Sequence, residues 1–81
     1  MMSPLQIISQ FLTYKFPWWG ISQFKFDPKY NTLYMRCVNP DTRRAIFKEA
    51  AALSNLDIGI ERFIVVYPGY PDIIIPYAHS Q

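Results

Sequence analysis

Proline can neither continue a helix nor donate to a sheet ladder, so the seven prolines of this chain mark where its regular elements begin and end. Two of them open helices. Ser3 precedes Pro4 and Asn39 precedes Pro40, each pairing a capping side chain with a proline whose missing N–H costs nothing at the first helical position. After Pro4, the residues Leu5, Ile8, Phe11 and Leu12 recur at three- and four-residue spacing as one apolar stripe, and Pro17 ends that helix. After Pro40, Asp41 suits the positive end of a helix dipole, and Ile46, Phe47, Ala50 and Leu53 form a second stripe. Arg43, Arg44, Lys48 and Glu49 fall mostly outside that stripe, and Ser54-Asn55 closes the helix.

The remaining prolines bound strands. Asp27-Pro28-Lys29-Tyr30-Asn31 is turn chemistry between Ile21–Phe26 and Thr32–Val38, which reads as a hairpin. Setting Phe26 opposite Leu33, Phe24 opposite Met35 and Ser22 opposite Cys37 gathers one apolar face, leaving Lys25 with Tyr34 and Gln23 with Arg36 on a polar one. A bulge at Asn31 would reverse the assignment. Arg62–Tyr67 is β-branched and aromatic on both alternating faces, as a covered central strand requires, and Pro68-Gly69 stops it. Asp72 and Pro76 bracket Ile73-Ile74-Ile75, an edge strand or an extended tail. The elements therefore run α-β-β-α-β with a short β-like tail. The expectation is a single α+β domain over residues 1–81, a two-layer sandwich with both helices on one face of a three- or four-stranded sheet and fraying from about residue 78.

Composition narrows the function classes. With 51% of residues apolar and 17% charged, the chain is too hydrophobic to be disordered. Eight Lys and Arg against six Asp and Glu give +2, short of the excess expected of a dedicated nucleic-acid binder. One cysteine, Cys37, excludes an internal disulfide framework and a multi-cysteine cluster site. No basic n-region with an apolar core precedes Lys15, and the longest apolar run, Phe63–Tyr67, is far short of the roughly 20 residues of a membrane span. These features predict a cytoplasmic protein without a span.

Catalytic signals are absent from the pattern. The lone histidine, His79, lies in the tail, and Cys37 alternates with Met35 and Leu33 on the inner face as a small hydrophobe with no base indicated nearby. Phosphate-cradling glycine motifs, nucleophile elbows and paired Cys-x-x-Cys are missing. Asp27, Asp41, Asp57, Glu61 and Asp72 each occupy a turn, a cap or a strand entrance. The expectation is a chain that is not an enzyme and holds neither cofactor nor metal.

Two surfaces remain. The fourteen aromatics, six Phe, six Tyr and two Trp, exceed what two helical stripes and one hairpin face absorb. Their surplus lies at Trp18-Trp19 and over Tyr67–Tyr77. Adjacent side chains of an extended segment point to opposite sides, so at most one of Trp18 and Trp19 readily enters the core. Trp18, Trp19, Tyr67, Tyr70 and Ile74 are thus candidate contacts with another protein or with a second copy, the isoleucine run by adding to a sheet edge. The alternative is a weak single-stranded nucleic-acid binder using Lys25, Tyr34 and Arg36 on the open sheet face with Arg43, Arg44 and Lys48 on the second helix. The basic excess of residues 1–54, seven basic against three acidic, favours that placement; the small net charge counts against the activity.

The α-β-β-α-β order resembles the C-terminal domain of iron–sulfur scaffold proteins of the NifU type and, more loosely, KH-type RNA-binding domains. The scaffold family carries Cys-x-x-Cys near the start of its second helix, where this chain reads Cys37-Val38-Asn39-Pro40-Asp41-Thr42 with one cysteine. The KH family carries a Gly-x-x-Gly loop between helices, and this chain has none. No cluster ligand or RNA-binding residue carries over from either. Lys15-Phe16-Pro17-Trp18-Trp19-Gly20 and the texture of Phe63–Tyr77 are similar to small uncharacterised proteins of cyanobacteria, a resemblance that implies no particular activity.

Overall fold

The computed structural model describes residues 3–78. Helix α1 spans Pro4–Lys15. Its start is a reciprocal capping box: the Gln6 N–H donates to Ser3 Oγ at 3.2 Å and the Ser3 N–H to Gln6 Oε1 at 2.8 Å. Its end follows from Pro17, which forces Phe16 out of helical geometry (φ −127°, ψ 65°) after one last bond from the Phe16 N–H to the Leu12 carbonyl. Leu12 is buried, with Leu5 and Ile8 packed against the core, whereas Phe11 stands at the exposed margin of the stripe.

Four strands follow, β1 (Ile21–Asp27), β2 (Thr32–Cys37), β3 (Arg62–Val66) and β4 (Ile73–Pro76), side by side in that order. β1/β2 and β3/β4 are antiparallel, and β2/β3 is parallel, so the sheet is mixed. The β2–β3 crossover carries α2 (Pro40–Lys48) and α3 (Ala50–Ser54). α1 packs against β1, α2 against β2 and β3, and α3 against β4. The element order is therefore α-β-β-α-α-β-β in an α+β fold with a four-stranded sheet.

The hairpin register sets Phe26 opposite Leu33, Phe24 opposite Met35, Lys25 opposite Tyr34 and Gln23 opposite Arg36, as the segregation of apolar from polar residues predicts. It departs at one end. The irregularity lies between Ile21 and Gln23 rather than at Asn31, and Ile21, not Ser22, faces Cys37. The bulge turns Ser22 outward, where its hydroxyl donates to the Arg36 carbonyl at 3.2 Å, and gives the inner face an isoleucine in place of a hydroxyl needing a partner. Asn31 supplies a left-handed residue (φ 47°) to the turn, and the Asp27 carboxylate accepts from the Lys29 N–H at 3.0 Å.

The inner face of the sheet holds Leu33, Met35, Cys37, Phe63, Val65 and Ile75, all buried, beneath Leu12, Ile46, Leu53 and Ile60. The second helical segment is not continuous as its stripe suggests. It breaks at Glu49 (φ −98°, ψ 14°), whose N–H is shared between the Ala45, Ile46 and Phe47 carbonyls. Ile46 and Leu53 take the inward positions, and Phe47, about 100° further round the helix than Ile46, is left 62% exposed rather than in the core. The tail is tied down further than expected: the Tyr77 N–H donates to the Glu61 carbonyl and the Ala78 N–H to the Ser54 carbonyl, each at 2.8 Å. Ala78 is thus bonded, and His79 and the rest of the expected frayed end lie outside the described residues.

Candidate functional site

The two tryptophans part company, but at a tight turn rather than along an extended segment: the Trp19 N–H donates to the Phe16 carbonyl at 3.1 Å. Trp19 is buried and stacks on Phe16 with ring centres 4.0 Å apart and planes within 4°. Trp18 is 60% exposed and meets the edge of Phe16 at 5.8 Å. Trp19 therefore belongs to the core and, contrary to expectation, is not available as a contact residue. Gly20 makes the turn beneath possible, since a Cβ there would stand 2.6 Å from Val38 Cγ2 and 3.1 Å from Thr42 Oγ1.

The six residues of the expected nucleic-acid surface are divided between two sides. Lys25, Tyr34 and Arg36 come together on the open sheet face and, with Gln23 and Val66, border a groove of about 450 Å³ that Asp27 also enters. Arg43, Arg44 and Lys48 ride on α2, which covers the inner face. Arg43 is already engaged: its Nη2 donates to the Pro71 carbonyl at 2.7 Å and its guanidinium lies 5.1 Å from the Tyr70 ring centre. Arg44 stands 3.6 Å from Asp41 in an exposed pair of little energetic weight.

Cys37 sits among apolar side chains, and burial pushes its thiol above the ordinary value, with Arg43 opposing that shift in part. The neutral thiol is thus favoured in the fold. Its contribution to stability is complete below the unfolded thiol's pKa and is lost as pH rises through the folded one. Among the described residues no three His, Cys, Asp or Glu side chains gather as a metal ion would require, and no helix is long and apolar enough to cross a membrane.

Three of the exposed large apolar residues, Phe47, Tyr70 and Ile74, stand by β4, while Ile7, Phe11 and Tyr14 are exposed on α1 and Trp18, Tyr30 and Val38 lie in connections. The turn after β3 is fixed by Gly69 in the left-handed region (φ +88°) and by the Tyr70 N–H donating to the Tyr67 carbonyl at 3.1 Å. Tyr67 and Tyr70 lie 5.4 Å apart, and the Arg43 contacts hold Tyr70 and Pro71 against α2. Tyr67 is half-buried, while Tyr70 is 48% and Ile74 62% exposed. Phe47 stands between two shallow grooves. One, of about 280 Å³, is bordered by Arg43, Arg44, Tyr70 and Ile73. The other, of about 310 Å³, runs between Ala50 and Ala51 of the helices and Ile73–Pro76 of the strand. The spacing of Phe47 fits the core stripe and gives no signal of its exposure; in the fold Ile46 takes the inward position and Phe47 lies about 100° round the helix from it.

β4 is also an edge, with a short open stretch. Pro76 pairs with Arg62 but has no N–H, so that position is a non-hydrogen-bonded one, flanked by the bond from the Tyr77 N–H to the Glu61 carbonyl, and antiparallel alternation directs the groups of Ile75 and Ile73 toward β3. Those of Ile74 and Pro76 point away. Pro76 has no N–H, and its carbonyl accepts from Ser54 Oγ at 2.9 Å; the Ala78 N–H is likewise taken by the Ser54 backbone. The end of α3 thus seals the far half of the edge. The Ile74 N–H and carbonyl and the Asp72 carbonyl remain directed outward, beside Phe47 and Tyr70. No protein-family model, curated protein or solved structure matches the chain.

Proposed function

We propose that this chain is a small, non-catalytic cytoplasmic module that docks a protein partner along the β4 edge, with Phe47, Tyr70 and Ile74 as its anchors. One observation carries this reading: large apolar side chains from three separate segments stand exposed along an edge whose backbone is still partly open. Aromatic anchors beside an open edge supply the two ingredients of strand addition, side-chain pockets for specificity and main-chain bonds for affinity. The lone thiol suits a reducing compartment. Trp18, in the connection leading to the opposite edge strand, is a separate exposed apolar residue.

A second reading, weak binding of single-stranded nucleic acid, is favoured by one observation, the meeting of Lys25, Tyr34 and Arg36 over a common groove. One experiment separates the two. A photo-cross-linking amino acid installed in the native cell at Phe47 is expected to give a protein adduct, and the same residue at Tyr30, exposed on the hairpin turn, none. Adducts from neither position, or equally from both, contradict docking at β4. A nuclease-sensitive adduct from Tyr34, with none from Phe47, establishes the second reading instead.

A further inference from the structure

The open part of the β4 edge consists of the Ile74 N–H and carbonyl and the Asp72 carbonyl. We propose that the partner at this edge is a second molecule of the same chain, paired antiparallel through β4 about a two-fold axis at Ile73; this rests on the docking reading above and names its occupant. In that register the Ile74 N–H of each copy donates to the Asp72 carbonyl of the other. The outward N–H of Ile74 and the outward Asp72 carbonyl of each copy then find partners. The neighbouring two-fold register, with Ile74 opposite Ile74, sets the Asp72 carbonyl against Pro76, which has no N–H to give. With Ile73 on the axis, that carbonyl meets the Ile74 N–H instead.

The same features select the occupant. The open stretch is bounded on one side by Pro71, whose carbonyl Arg43 holds, and on the other by Pro76, whose carbonyl Ser54 holds. A long strand from an unrelated protein would place unpaired groups against these sealed positions, whereas a second copy is sealed at the same points and offers donors and acceptors only where they are needed. On the helix-covered side, Phe47 borders both grooves together with Ile73, the residue on the axis. The two-fold brings each Phe47 toward its counterpart and covers the rings that the single chain leaves exposed. A two-fold contact also closes on itself, so the assembly stops at two.

Sedimentation of the purified chain over a concentration series tests this. The expected result is a rise from 9.5 kDa toward twice that mass, lost in both Ile74→Pro and Phe47→Asp. Ile74→Pro removes an N–H that makes no bond within the sheet, and Phe47→Asp changes a surface side chain, so the second variant serves if the first fails to fold; circular dichroism and thermal melts check both. A wild-type chain still at 9.5 kDa at about 1 mM, the concentration at which even a contact of roughly −4 kcal/mol is half-formed, overturns the proposal. So does doubling that folded Phe47→Asp retains, or growth beyond two copies. A monomeric chain that still gives protein adducts from Phe47 in cells overturns the second copy as occupant and leaves the docking surface standing.

Discussion

Phe63→Ala is expected to remove about 3–5 kcal/mol of stability, the ordinary cost of truncating a fully buried phenylalanine. Phe63 is the largest fully buried side chain, on the strand flanked by β2 and β4, with Leu33 and Ile75 as its cross-strand neighbours. Stability of roughly 0.05–0.15 kcal/mol per residue gives a domain of this size about 4–12 kcal/mol in all. The variant therefore loses a large share of it. Thermal unfolding followed by circular dichroism should show a midpoint lowered by at least about 10 °C, since each kcal/mol moves a domain this small by roughly 4–8 °C. A shift of only a degree or two would mean that the inner face of β3 is not the centre of the core.

The second large effect is the contrast between adjacent tryptophans. Trp19→Ala opens a cavity beneath the Phe16 ring that stacks on it and should cost about 3–5 kcal/mol, whereas Trp18→Ala, at an exposed position, should cost about 1 kcal/mol or less. Each variant retains one indole, so fluorescence reads both environments. The Trp18→Ala protein should emit from a buried ring little quenched by iodide, and the folded fraction of the Trp19→Ala protein from a wet and readily quenched one. Equal costs, or equal quenching, would contradict the division of the pair into one core residue and one surface residue.

Much of this architecture is legible in the sequence because proline and capping chemistry act locally. Ser3 with Pro4, Asn39 with Pro40 and the stop at Pro17 mark both long helices, and the alternation of Phe24 and Phe26 with Lys25 sets the hairpin register. The isoleucine run is an edge strand because Asp72 and Pro76 confine it. What escapes local reading depends on contacts between distant residues. The Ser22 bulge answers a carbonyl 14 positions away, the Arg43 clasp reaches 28 positions to Pro71, and the seal of the β4 edge joins Ser54 to Pro76 across 22. The split of the basic residues is of the same kind. Lys25, Tyr34 and Arg36 share a face by strand periodicity, but only the placement of α2 over the opposite face shows that Arg43, Arg44 and Lys48 do not join them. Likewise, helical spacing fits Phe47 to the core stripe, and only the break at Glu49 and the inward position of Ile46 expose it.

Amide hydrogen exchange measured by NMR at low and at high protein concentration reads, residue by residue, the proposed filling of the open β4 backbone at Ile74 by a second chain. In dilute protein the Ile73 and Ile75 amides, bonded to β3, should be protected while the Ile74 amide between them exchanges freely; at high concentration the Ile74 amide should become protected as well. An Ile74 amide protected even in dilute protein, or one that stays unprotected at every concentration, would contradict it.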